Sequence, residues 1–155
     1  MRRRWMNRVV TLLAVVFSYG CGDSDPSGPD PLVAPFVGDW SATALVLTSP
    51  LADLISVDII EIGSTFDLNV QPSGAYTAIL VFAGGGSVEI GTIEVTATTI
   101  TLHRDFPNNQ TAVSTYQFIG DDMLILDGET EFDFNLDGIQ DQAIAHFELV
   151  RKQAS

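Results

Sequence analysis

Past residue 35 the chain alternates apolar and polar positions at the period of a β-strand, with turn residues between the runs. DWSATALVLT places Trp40, Ala42, Ala44 and Val46 on one face, and STFDLNV does the same with Phe66, Leu68 and Val70. QPSG, Gln71 to Gly74, is a turn, because proline presets φ and glycine accepts a positive one. AYTAILVF follows with Tyr76, Ala78, Leu80 and Phe82 on one side. GTIEVTATTITLHRD divides at Thr96–Thr98 into two strands, with Ile93 and Val95 inward on the first and Ile100 and Leu102 on the second. FPNNQT is a loop, AVSTYQFIG a strand with Tyr116 and Phe118 on one face, and GDD at Gly120–Asp122 a turn. MLILDGETEFDF and AIAHFELVRK supply the last strands.

These runs make about eight strands with short connections, and no long segment has helical period with caps. Thr48 to Gly63 is the ambiguous stretch. Leu51, Leu54 and Ile55 suggest a short helical turn, and VDII an extended end. The expected class is all-β. A single open sheet of eight strands would leave two edges unpaired, and closure removes both. The meander spacing favours an antiparallel up-and-down eight-stranded barrel, with a two-sheet sandwich as the alternative.

Before the strands the chain changes character. Arg2, Arg3, Arg4 and Arg8 precede the apolar run Val9–Phe17, which has the layout of an export signal and is short for a spanning helix; the alternatives are a retained membrane anchor and ordinary secretion with Cys21 lost or left as a free thiol. The run ends in FSYGCGDSD. A small residue before the only cysteine resembles the lipobox of bacterial lipoproteins, although Ser18 stands where leucine is usual and Tyr19 is bulky. The resemblance implies removal of residues 1–20 and a diacylglyceryl group on Cys21, palmitate among its acyl chains. It further implies a lipid-anchored protein of the bacterial cell envelope. Gly22 after the cysteine implies the outer membrane, facing the periplasm or the cell surface. Residues 21–35, with four prolines and repeated glycine and aspartate, read as a tether, and residues 36–152 as the folded domain.

Charge narrows the partners. Without residues 1–20, three basic side chains face twenty acidic ones, a formal net charge of −17. Such a surface repels nucleic acid and anionic headgroups, so no nucleic-acid partner is expected and membrane attachment would rest on the N-terminus. The sequence specifies no protein partner.

FVGDWSAT carries a Gly-x-Trp at Gly38-Asp39-Trp40, opening a body of about eight strands. It resembles the N-terminal signature of the lipocalin-like (calycin) group. The resemblance implies that Trp40 packs across the closed end of the barrel with a basic residue over its ring, Arg151 or else Lys152. It further implies a small hydrophobic ligand inside. The wall of that site would come from Phe66, Tyr76, Leu80, Phe82, Tyr116 and Phe118, although these large side chains could instead fill the interior. The body is shorter than a typical lipocalin and lacks a disulfide, and is more similar to the compact lipocalin-like domains of bacterial lipoproteins.

DFNLDGIQD places side-chain oxygens at Asp133, Asn135, Asp137 and Asp141, with the Ile139 carbonyl between the last two and Gly138 at the bend. The spacing resembles calcium loops of the D-x-[DN]-x-DG kind, which gather oxygens from alternate positions. Ile144 replaces the glutamate that closes an EF-hand. The alternatives are a calcium ion between the last two strands and a metal-free acidic turn. No catalytic pattern competes with these readings. His103 and His146 lack metal spacing, Gly84–Gly86 open no helix and read as a flexible turn, and LHRD reads as the solvated end of a strand. A non-enzymatic protein is expected. The rival to a ligand carrier is a structural or protein-interaction module of the envelope with a filled, calcium-stabilised barrel.

Overall fold

The computed structural model describes residues 30–50, 55–135 and 137–153. The export signal, Cys21 and the first part of the tether lie outside the described residues, as does most of the proposed helical turn after Thr48. Among the described residues nine strands follow a 3-10 turn at Ala34–Phe36: β1 (Gly38–Thr48), β2 (Ser56–Asp58), β3 (Thr65–Val70), β4 (Ala75–Phe82), β5 (Gly85–Val95), β6 (Thr99–Phe106), β7 (Gln110–Ile119), β8 (Met123–Phe132) and β9 (Asp141–Arg151). From β3 to β9 every strand pairs antiparallel with its chain neighbour, and β1 pairs with both β3 and β9. The sheet therefore closes as an eight-stranded up-and-down barrel. The ninth strand, β2, is a three-residue addition to the end of β1.

The inward faces follow the alternation in most strands. Leu68 and Val70 of β3, Tyr76 and Ala78 of β4, Ile93 and Val95 of β5 and Ile100 of β6 are all buried. β1 departs from it. Pairing with β9 slips between Ala42 and Ala44, so Thr43 is an extra residue on the β1 side. One inserted residue exchanges the faces of everything after it. Trp40 is buried, but beyond the bulge Leu45 and Leu47 are buried, in place of the expected Ala44 and Val46.

Two turns also depart from the sequence reading. The glycine run Gly84–Gly86 is not a loose turn. Ala83 (φ 50°) and Gly84 (φ 79°) form a two-residue hairpin bend, and Gly85 and Gly86 already belong to β5. The extended end expected over Val57–Ile60 stops at Asp58. Its carboxylate accepts the Ile60 N–H at 2.9 Å and the Leu45 N–H at 3.1 Å, turning the chain back.

The described chain also joins the body earlier than Phe36. Val33, assigned to the tether, is buried, and Phe36 is 1% exposed. Phe36 plugs one end of the barrel, where its ring meets Tyr116 and Phe118 edge-on at 5.0 Å each. Val95, Ile100, Leu124 and Leu149 complete that closed end. The opposite end carries the connections 59–64, 83–84, 107–109 and 133–140.

Candidate functional site

Trp40 and Arg151 close the floor. Trp40 is fully buried and its indole N–H donates to the Phe36 carbonyl at 2.8 Å. The Arg151 guanidinium carbon stands 4.1 Å from the indole centroid. Its nitrogens donate to the carbonyls of Val37 (2.6 Å), Pro35 (2.8 Å) and Asp121 (3.2 Å), tying the stretch before β1 to the β7–β8 turn. Gly38, with φ 131°, leaves room for this: a side chain there would run into the Arg151 guanidinium.

Above the floor lies a cavity of about 1420 Å³. Phe66, Leu68, Leu80, Phe82 and Phe147 give it an apolar wall, and Tyr76 stands among them. Phe66 and Phe147 lie 5.1 Å apart, centroid to centroid. Phe82 meets Phe132 at 5.8 Å, and Phe132 meets Phe134 at 5.1 Å, so aromatic rings flank the mouth beside the β8–β9 connection.

The structure divides the six proposed ligand residues. Phe66, Tyr76, Leu80 and Phe82 line the cavity. Tyr116 and Phe118 pack instead around Phe36 at the closed end, and the Tyr116 hydroxyl donates to the Thr96 carbonyl at 2.8 Å.

Among the polar lining residues that the sequence reading did not assign to the site are Glu89 and Arg104, which form an ion pair through Arg104 Nη1. Both were legible by counting in twos from buried neighbours. Val95, Ile93 and Gly91 lead to Glu89, and Ile100 and Leu102 lead to Arg104. LHRD is thus not wholly a solvated strand end, because Arg104 turns onto the cavity wall.

The wall is split on one side. Pairing between β7 and β8 runs from Ile119–Met123 to Ser114–Gly128 and ends there. Above it, Gln110–Val113 pair only with β6 and Glu129–Phe132 only with β9. Both facing strand edges line the cavity, which therefore opens laterally between them.

The acidic loop sits at the open end. Asp133 accepts the N–H of Asp137 (3.1 Å) and of Gly138 (2.8 Å), Asn135 Oδ1 accepts the Asp137 N–H (3.0 Å), and Asn135 Nδ2 donates to Asp137 at 3.0 Å. Asp137 in turn accepts the Ile139 N–H at 2.8 Å, and Gly138 has φ 85°. The side-chain oxygens of Asp133, Asn135 and Asp137 thus serve as acceptors within the loop itself. Asp141 opens β9. Leu136 lies outside the described residues, and among those described no three His, Cys, Asp or Glu side chains form a cluster that could hold a metal ion.

The closed antiparallel meander defines a calycin-like barrel. No family model matches the chain, and no curated protein does. Among solved structures, an uncharacterized protein from Bacteroides eggerthii is similar with a TM-score of 0.44 and 12% identity, covering 75% of this chain and 98% of the other.

Proposed function

We propose that this protein is a non-catalytic, lipid-anchored binding protein of the bacterial envelope that holds a small hydrophobic molecule in its barrel. The observation that carries this reading is the open, largely apolar cavity of about 1420 Å³, which is large beside the ~300–1,000 Å³ of ordinary small-molecule sites. A filled barrel would offer no such space. Burying a ligand against Phe66, Leu80, Phe82 and Phe147 removes apolar surface from water, worth roughly 25 cal/mol per Å² before ordering costs. Titrating an environment-sensitive fluorescent probe into purified protein beginning at Gly22 tests this. Saturable binding is expected, and Leu80→Arg should weaken it at least tenfold. A range of apolar probes that all fail to saturate would refute the reading.

The export signal and Cys21 support the anchor, and the Asp133–Asp141 loop supports a calcium ion that stiffens the mouth. In that site Asp133, Asn135, Asp137, the Ile139 carbonyl and Asp141 would supply oxygens.

A second reading, a protein-interaction module, has one observation in its favour. Ile79 faces Val88 and Ile90 faces Phe106 across adjacent strands, and all four are exposed on the outer wall. Such a row marks a contact surface when it is contiguous. If that wall docks a partner, Ile90→Glu should abolish its cross-linking in cells while leaving probe binding intact.

A further inference from the structure

The polar side of the cavity bears on what occupies it, given the ligand-binding reading above. Tyr76 is 2% exposed and lines the cavity, and its hydroxyl is the one buried side-chain oxygen or nitrogen among the described residues that has no hydrogen-bond partner. Burial first, and then the nearby Glu89 charge, pushes the phenol up to about 12. It is therefore protonated at neutral pH and available as a donor. Opposite it in the ladder is Gly91, where any side chain would press into the Tyr76 ring. The glycine keeps the ring's place free.

A hydroxyl removed from water without a partner is costly, and a ligand oxygen that accepts its proton relieves that cost. The charges around the cavity decide which oxygen suits. Among the described residues Arg104 is the only basic one lining the cavity. Its charge is already paired, with Nη1 on the Glu89 carboxylate and Nε donating to the Asn108 carbonyl at 3.2 Å. Every other ionisable side chain with an ordinary charge at neutral pH is acidic: Glu89, Asp127, Glu129, Glu131 and Asp133. Glu129 and Glu131 belong to the lip of the lateral opening and Asp133 to the start of the acidic loop, while Asp127 lies just below the lip, bonded to His146. An entering anion would meet carboxylates on its way in and no free cation once inside, and it would lose its hydration there.

We propose that the cavity takes an uncharged amphiphile, a long-chain alcohol or ester, whose oxygen accepts the Tyr76 hydroxyl proton, and that it discriminates against the free acid of the same chain.

The test is displacement of a bound environment-sensitive probe by 1-dodecanol, methyl dodecanoate and dodecanoate at neutral pH. The alcohol and ester should compete at least about tenfold better than the acid, and Tyr76→Phe should narrow that gap by about tenfold, measured against the same probe bound to the same variant. Tyr76→Phe should melt no lower than wild type, because it removes an unpaired buried oxygen. Glu89→Gln offers an independent arm. It releases the Arg104 charge, so the acid should gain on the ester by several-fold. Equal competition by acid and ester, or a gap untouched by Tyr76→Phe while the probe still binds, would overturn the preference alone. Failure of the wild-type protein to bind any probe would remove the ligand-binding reading and this preference with it.

Discussion

At the scale of single residues, Arg151 does the most structural work per atom. A planar guanidinium can donate in several fixed directions while its face stacks on an indole, and the three carbonyls plus Trp40 use all of these. Arg151→Ala should destabilise the protein by about 2–4 kcal/mol, since carbonyls lose charged donors and the cation–π contact goes. Arg151→Lys should recover less than half of that, because one ammonium cannot reach three acceptors, and urea denaturation of the three proteins checks it. His146 gives a pH-dependent counterpart. Its Nδ1 lies 2.7 Å from Asp127 Oδ1, with Glu148 3.6 Å from Nε2. The hydrogen bond to Asp127 raises the imidazole above its ordinary value, against the lowering effect of partial burial. A raised folded-state value means that the pair's stabilisation is complete below the unfolded value of ~6.5 and fades as pH climbs through the folded one. The pair is half-exposed and solvent-screened, so its share is under about 1 kcal/mol. Stability curves of wild type and His146→Gln should converge above that range; parallel curves would assign the pair no share.

At the scale of elements, alternation was a good guide wherever pairing ran without interruption. β3 and β4 show their buried faces directly in STFDLNV and AYTAILVF. It failed in β1 after Thr43, because a bulge is set by the partner strand: WSATAL carries no local mark that Ala42 and Ala44 will pair with consecutive residues of β9. The same limit explains Tyr116 and Phe118. Alternation put them on the inner face, but height along the barrel axis depends on stagger between strands, and stagger placed them at the plugged end with Phe36. The β7–β8 opening was equally hidden, since it follows from where two registers stop agreeing. The acidic loop was legible as a turn, and its internal hydrogen bonds explain why aspartate, asparagine and glycine stand where they do. Its calcium occupancy is a prediction. A cation would draw Asp133, Asp137 and Asp141 together and pin the junction of β8 and β9, and at a concentration of 100 Kd would add ~2.7 kcal/mol. Calorimetric titration of chelator-treated protein should show saturable calcium binding that Asp137→Asn weakens. Identical traces for the two proteins, without specific heat, would leave the loop as a hydrogen-bonded turn.

At the scale of the whole molecule, two features pull in different directions. A formal charge of −17, from three basic and twenty acidic side chains after residue 20, holds the body away from anionic membranes. A cavity with an apolar wall is most useful where apolar molecules are found, which is at a membrane. The proposed lipid on Cys21 would reconcile them, because several acyl chains would anchor through ~0.8 kcal/mol per buried methylene and owe nothing to surface charge. The described chain enters the body at its closed end, through Val33 and Phe36, at the end opposite the mouth. This arrangement makes a definite prediction about attachment. The full chain, expressed in a bacterium that processes lipoproteins, should sediment with membranes, stay there in high salt and come off only with detergent. Cys21→Ser should move it to the soluble extract without altering probe binding by the body. Mass spectrometry of the detergent-extracted protein should find the N-terminal residue to be an acylated Cys21. Release of the wild-type protein by salt alone would mean that charge, and not lipid, holds it. A Cys21→Ser protein that still required detergent would place the anchor elsewhere in residues 1–20.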